Sequence, residues 1–294
     1  MSRGLASGLA ACCVAAGCGV EISGDRPPGG NPMNPDAAGP NPDAAALGPW
    51  GPAQLVTNAA TALIEDDASL SSTTNEMIFA VVDAAAGNTK DLWYMARPSP
   101  AGAWSAPVKL PFNSTTSDET PRFADNDLTL YFASGRGGAT LDIYKVTRQT
   151  VGGAWTLPPQ VVPGLNSTGV EKWFVPCPGT NKYMTIIDNE IGEGTIGSAP
   201  TVCPELNSTA NETGTFLSQD CKTIYFASTR STSNRLYVAT RPAVGAPFNP
   251  PQIVGDFLAD PGGNQEDPWL SADLRTFVFV SDKSGSKDVY ISTR

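Results

Sequence analysis

The sequence predicts an all-β fold, and three observations carry that prediction. Gly 29 and Pro 26 among 294 residues supply many turns and disfavour long helices. Short runs rich in Tyr, Phe, Val, Ile and Thr lie between those turns, and no segment has a sustained helical period. One order of four signals repeats about every 40 to 55 residues. That is the period of propeller blades built from four strands each.

The first signal is an aromatic residue, a proline and an aliphatic residue. It occurs at Trp50/Pro52/Leu55, Trp104/Pro107/Leu110, Trp155/Pro158/Val161 and Phe248/Pro251/Ile253, with a degenerate copy at Val202/Pro204/Leu206. The second is an acidic residue opening a short strand: Asp66, Glu119, Glu171, Glu212 and Glu266. The third is a β-rich run: EMIFAVV, TLYFAS, KYMTII, TIYFAS and TFVFVS. The fourth reads DLWYMAR, DIYKVTR, RLYVATR and DVYISTR, with 195–200 as a poor copy. We name the corresponding strands A (from the acid), B, C and D (aromatic-proline). Five acids predict a five-bladed β-propeller over 50–294. The chain opens on a D-type strand at 50–56 and ends on a C strand. The N-terminal strand is therefore expected to complete the last blade, which removes two exposed sheet edges. In an up-and-down blade with A innermost, D–A and B–C turns share one face, and A–B and C–D turns the other.

The second repeat carries Asn113, Glu119, Pro121, Asp125, Leu130-Tyr131-Phe132, Ser134, Arg136, Gly137-Gly138 and Asp142-Ile143-Tyr144. This wording resembles the TolB-type, WD40-like propeller repeat of exported bacterial proteins. Repeats four and five match through Ser228-Thr229-Arg230 and Glu266-Asp267-Pro268, and repeat three departs most. The resemblance implies the fold. It leaves function open, because propellers host binding, scaffolding and hydrolysis alike.

Before the propeller, residues 1–17 have one positive charge at Arg3 and a short run of small apolar residues, the shape of a secretory signal. The run ends in Ala15-Ala16-Gly17-Cys18, which resembles a bacterial lipobox and implies a lipidated Cys18. Gly19 is not the Asp that resembles an inner-membrane retention signal, so an outer-membrane anchor is expected. Residues 18–49 are rich in Pro, Gly and Asn, with NPDAA twice, and read as a disordered tether. Of the six cysteines, Cys177, Cys203 and Cys221 remain in the folded part. Export allows a disulfide. Cys177–Cys203 is the expected pair, since both fall in one repeat beside proline, and the other two pairings stay open.

The net charge of −10 without a basic stripe argues against nucleic acid as a partner. The absence of His removes His-assisted nucleophiles and His-ligated metals. Asp66, Glu119, Glu171, Glu212 and Glu266 are expected to ring one mouth of the channel. Asn113, Asn166 and Asn207 precede A strands on that face, and Arg136, Arg230 and Lys283 come from B–C turns there. Such a ring fits a polar ligand, a channel cation in a structural role, or a glycosidase pair some 5–10 Å apart. Repetition favours structural ties instead, since a catalytic residue is needed once. Trp173, on the least regular blade, joins the candidates. Asp282–Asp288 echoes a calcium loop but reads as a B–C hairpin. The expected protein is a non-catalytic, monomeric envelope lipoprotein without cofactor or metal, held to the membrane by its N-terminal lipid, whose propeller binds a protein or glycan. A carbohydrate-active hydrolase using channel carboxylates is the alternative.

Cys18→Ala is expected to move the protein from the membrane to the soluble fraction on ultracentrifugation. Unchanged fractionation would refute the lipid anchor.

Overall fold

The computed structural model describes residues 47–83, 87–138, 140–257 and 263–294. The signal, Cys18 and nearly all of the tether at 18–49 lie outside the described residues. No described helix is long and apolar enough to cross a membrane.

The strands form five four-stranded antiparallel sheets. β1 (Gln54–Leu55) comes first in the chain. Blade 1 is β2 (Ile64–Leu70), β3 (Glu76–Asp83), β4 (Thr89–Ala96) and β5 (Val108–Lys109). Blade 2 is β6 (Asp118–Ala124), β7 (Thr129–Ser134), β8 (Asp142–Thr147) and β9 (Gln160–Val161). Blade 3 is β10 (Glu171–Pro176), β11 (Lys182–Ile187), β12 (Glu190–Thr195) and β13 (Thr201–Val202). Blade 4 is β14 (Glu212–Leu217), β15 (Thr223–Ser228), β16 (Arg235–Thr240) and β17 (Gln252–Ile253). Blade 5 is β18 (Gln265–Leu270), β19 (Thr276–Ser281) and β20 (Asp288–Thr293), completed by β1 through Gln54↔Ile291 and Leu55↔Tyr290. The expected five-bladed propeller and its closure by the N-terminal strand are present. The A strands β2, β6, β10, β14 and β18 neighbour one another around the axis.

The third strand of blade 3 differs from the expected one at 195–200. It is β12, at Glu190–Thr195, because Asp188-Asn189 makes a tight turn with both residues left-handed (φ 48° and 69°). That short turn explains the shorter third repeat.

The core lies between blades, not inside any one of them. Phe79 packs toward blade 5 with Trp269 and Val278, whereas its neighbours Ile78 and Ala80 pack toward blade 2 with Leu130 and Phe132. Alternation along a strand sends successive side chains to opposite sheet faces, so both faces are apolar. The same arrangement continues between blades 2 and 3, 3 and 4, and 4 and 5.

The repeated Arg that ends a C strand links the first and fourth signals. Arg97, Arg148, Arg241 and Arg294 lie 3.9 to 4.5 Å over Trp104, Trp155, Phe248 and Trp50. Each Nε also donates to a carbonyl in the A–B turn, at Thr74, Asp127, Cys221 and Leu274. Those four residues are left-handed (φ 58° to 66°), so the guanidinium holds a turn that the backbone does not favour by itself. Two of these arginines also tie neighbouring blades. Arg148 binds Glu76 of blade 1 in bidentate fashion at 2.8 and 2.7 Å, and Arg241 binds Glu193 of blade 3 at 2.9 Å.

The disulfide is Cys177–Cys221, with Cα atoms 5.7 Å apart, and not Cys177–Cys203. Cys177 follows β10 and Cys221 lies in the A–B turn of blade 4, so both sit at one face. Cys203 follows β13, and its amide bonds Ile191 at the start of β12, toward the other face. Cysteines in one repeat can thus lie at opposite ends of their strands. The bridge joins residues 44 apart in sequence. Chain-entropy arithmetic assigns such a loop about 4 kcal/mol. Cys221→Ser is expected to lower the unfolding free energy by roughly 2–4 kcal/mol in non-reducing denaturant titrations. Cys203→Ser is expected to change it by under about 1 kcal/mol. The reverse order would refute this pairing.

Candidate functional site

The asparagines of the D–A turns serve the scaffold. Asn113 Oδ1 accepts from the Leu92 amide and its Nδ2 donates to the Leu92 carbonyl, both at 2.9 Å. Asn166 binds Ile143 and Asn207 binds Ile191 in the same manner. Each side chain thereby fastens its turn to the C strand of the blade before.

The five acids do not form one ring. Asp66, Glu119 and Glu266 stand opposite Ala80, Ala133 and Val280 of their B strands. Glu171 and Glu212 stand one residue earlier, opposite Ile187 and Ser228, in register with Glu65, Asp118 and Gln265. A one-residue slip turns a strand side chain to the other face. In the earlier register Glu65, Asp118, Glu171 and Glu212 each accept a hydroxyl from Thr61, Ser114, Ser167 or Ser208, four residues before. That Ser/Thr-to-acid spacing was the signal that would have aligned the repeats correctly. Arg136 pairs with Asp118, not Glu119, and Arg230 pairs with Glu212 at 2.9 Å. Both arginines lie over the B- and C-strand rings of their own blade, Phe132/Tyr144 and Phe226/Tyr237. They brace their own blade, and each Nη2 also donates to a carbonyl, Phe112 or Leu206, in the connection arriving from the blade before. In the hairpin at Asp282–Asp288, Ser284 and Ser286 donate to Asp288, and Asn264, just before β18, donates to Asp282.

What reaches the axis is set by a bulge in every A strand. The register shifts after Asp66, Glu119, Lys172, Thr213 and Glu266. The next residue is left-handed in all five blades: Asp67, Thr120, Trp173, Gly214 and Asp267, with φ between 49° and 58°. At a bulge two residues oppose one on the partner strand. Asp66 and the following Asp67 consequently reach one ammonium, Lys90, at 2.8 and 2.7 Å. At Gly214 a Cβ would stand 2.6 Å from the Asp267 amide nitrogen, so glycine is required there.

Lys90 also binds Glu119 at 3.1 Å, Lys172 binds Glu119 at 3.3 Å, and Lys287 binds Glu266 at 2.8 Å and Asp66 at 3.5 Å. Trp173 Nε1 donates to Asp267 Oδ1 at 2.8 Å. Burial opposes the charge of Asp66, but Lys90 and Lys287 override it and hold its carboxyl well below the usual range. Burial pushes Asp267 well above that range, and the charges of Asp67, Asp66 and Glu266 add to the effect. Asp67 is raised by burial against the pull of Lys90. Lys90 is held well above the ordinary lysine value by Asp66, Asp67 and Glu119, despite its burial. Oxygens of Asp66, Asp67 and Asp267 lie within 4.8 Å of one another, a spacing that suits a cation. The Lys90 ammonium already supplies positive charge to two of them.

The other mouth, on the A–B and C–D face, differs in chemistry. An open cavity of about 410 Å³ lies there. Its lining includes Phe123, Tyr131, Phe216 and Trp269, and the exposed Asp125, Asn126, Thr180 and Gln219 stand among its polar residues. Arg122, 2% exposed, also lines it. Its guanidinium donates to the Ala68 and Thr215 carbonyls of two other A strands at 3.4 and 3.3 Å. Asp125, Asn126 and Asp127 are consecutively left-handed, and Asp127 accepts from the Ser72 amide and hydroxyl at 2.8 and 2.7 Å, which ties blade 2 to blade 1. Sequence reasoning missed this mouth, because its residues come from all five blades and no single repeat holds the cavity.

No family model and no curated protein matches the chain. Solved structures do. The endo-arabinase from Bacteroides thetaiotaomicron is 10% identical, with 79% of this chain and 95% of that one covered and a TM-score of 0.54. The α-L-arabinofuranosidase PaAbf62A from Podospora anserina is 12% identical, with 84% and 96% covered and a TM-score of 0.54. TolB from Acinetobacter baumannii is 10% identical, with 81% of this chain covered and a TM-score of 0.48. This chain spans 56% of that TolB's length. At these identities the likeness shows the fold alone.

Glu65, at the D–A end of β2, gives the fold a measurable pH dependence. Burial raises its carboxyl from 4.5 to about 7, against the Thr61 hydrogen bond that lowers it. A raised carboxyl binds its proton more tightly in the folded state. Its stabilisation is therefore complete below about pH 4.5 and is lost as pH rises toward 7. Glu65→Gln is expected to stabilise the protein at pH 8 by roughly 1–3 kcal/mol and to have little effect at pH 4.5. Equal effects at both pH values in thermal denaturation would refute the assignment.

Proposed function

We propose that this chain is a non-catalytic binding lipoprotein of the cell envelope, whose propeller takes a protein or glycan partner in the cavity of the A–B mouth. The observation that carries the reading is the contrast between the two mouths. At the D–A mouth the axial carboxylates are engaged by Lys90, Lys172 and Lys287, and Asp67 and Asp267 are 0% and 1% exposed. At the A–B mouth an open, aromatic-lined cavity is framed by exposed polar residues. Concave sites with apolar walls and a few polar groups are the usual form of ligand pockets. The export signal, the lipobox-like Ala15-Ala16-Gly17-Cys18 and the tether support an envelope location with the propeller held away from the lipid.

A second reading, a carbohydrate-active hydrolase, has one observation in its favour. Asp66 is held low and Asp267 high within one cluster, and carboxyls separated in this way serve as base and acid in hydrolases. Two of the proteins that share the fold are named for arabinose-containing substrates. The lysines that already hold Asp66, Asp67 and Glu266, and the Trp173 donor on Asp267, favour binding over hydrolysis.

Affinity capture from envelope extract and a glycan array, both with the full chain, separate these readings. Gln219→Trp, which places a bulky ring on the cavity's rim, is expected to lower capture at least tenfold while melting stays unchanged. Capture unaffected by this variant would sink the cavity as the binding site. Release of reducing ends from arabino-oligosaccharides, lost in Asp267→Asn, would establish the hydrolase instead.

A further inference from the structure

Arg122 is a cation without a matching anion. Its Nη1 donates to the Pro121 and Ala68 carbonyls at 3.0 and 3.4 Å, and its Nη2 to the Thr215 carbonyl at 3.3 Å. Its Nε–H has no acceptor. Among the described residues no carboxylate forms an ion pair with it. Asp267 and Asp67 act on it only from a distance, and burial lowers its pKa. An arginine this deeply buried ordinarily has a bonded carboxylate. The donors left over are the Nε–H and one of the two Nη2–H, on the two nitrogens that share one edge of the guanidinium. That edge is one of the two that grip a carboxylate with parallel hydrogen bonds.

The walls around it suit a sugar. Phe123, Phe216 and Trp269 offer apolar ring surface to the C–H face of a pyranose. The exposed Asp125, Asn126 and Gln219 offer oxygen and nitrogen atoms for hydroxyls on the rim. We propose that the A–B mouth binds an acidic sugar of the hexuronate class, with its carboxylate held by Arg122 and its ring against the aromatic walls. This rests on the binding reading above and names the ligand for it. The rim itself is not basic, so Arg122 supplies selectivity at contact and no long-range attraction.

The test is calorimetric titration of the full chain with digalacturonate and with neutral digalactose. The acidic disaccharide is expected to bind at least tenfold tighter. Arg122→Lys, which keeps the charge and loses the fork, is expected to erase that preference, with melting curves to check folding. Gln219→Trp leaves Arg122 untouched and is expected to weaken the acidic sugar at least tenfold. Equal affinity for the two sugars would overturn the role of Arg122 and leave a glycan-binding cavity standing. Acid-selective binding that ignores Gln219→Trp would place the site elsewhere and overturn the proposal. A peptide whose free C-terminus outcompetes digalacturonate, and whose amide does not, would overturn the sugar class. Absence of binding by both sugars would overturn it too. Capture of an envelope protein that Gln219→Trp blocks would still uphold the broader binding reading.

Discussion

The left-handed residue in each innermost strand is the constraint on which the centre of this propeller depends. It occurs at Asp67, Thr120, Trp173, Gly214 and Asp267, and in every case a register shift against strand B accompanies it. Left-handed backbone disfavours residues with a Cβ and persists where surrounding contacts fix it. Here the contacts are polar: Trp173 to Asp267 crosses the axis, and Trp173 to Thr120, Thr215 to Trp173 and Asp67 to Asp267 link neighbouring A strands. The bulges and the axial hydrogen bonds therefore hold each other in place.

That geometry concentrates acid. Asp66, Asp67, Glu119, Glu266 and Asp267 meet near the axis, where water is scarce and unpaired carboxylates are strongly disfavoured. Two remedies appear together. Lysines from the B–C side, Lys90 and Lys287, and Lys172 from blade 3 neutralise part of the charge. Burial and the charges of Asp67, Asp66 and Glu266 push the Asp267 carboxyl well above the usual range, and Trp173 donates a hydrogen bond to it. The outcome is a polar plug across one mouth, beside a smaller cavity of about 180 Å³ lined in part by Lys172 and Trp173. Below it Arg122 spans three blades and separates the plug from the open cavity of the other mouth.

Away from the axis the blades are joined by apolar layers and by arginines at the ends of C strands. Those arginines perform three tasks with one planar group: they cover the D-strand aromatic, hold the A–B turn, and in two blades reach a neighbouring glutamate. A lysine has neither the plane nor the fork to replace them. The A–B turns fixed in this way are the ones that frame the cavity, so the scaffold and the proposed binding mouth share their supports.

The sequence by itself determined the blade count, the order of strands in each blade and closure by the N-terminal strand. Each follows from local signals that repeat, and alternation along a strand is a local property. It also pointed to Trp173 and to carboxylates near the axis. It did not determine which acids meet. Glu171 and Glu212 look equivalent to Glu119 by position, yet one residue of register sends them to hydroxyls of their own turns. Nor did it pair Cys177 with Cys221, since that contact depends on two turns of different blades arriving at the same face. The cavity around Arg122 was equally hidden. Its residues are scattered over the chain and gain their meaning only when the ring closes, because convergence on an axis is a property of the assembled blades and of no single repeat.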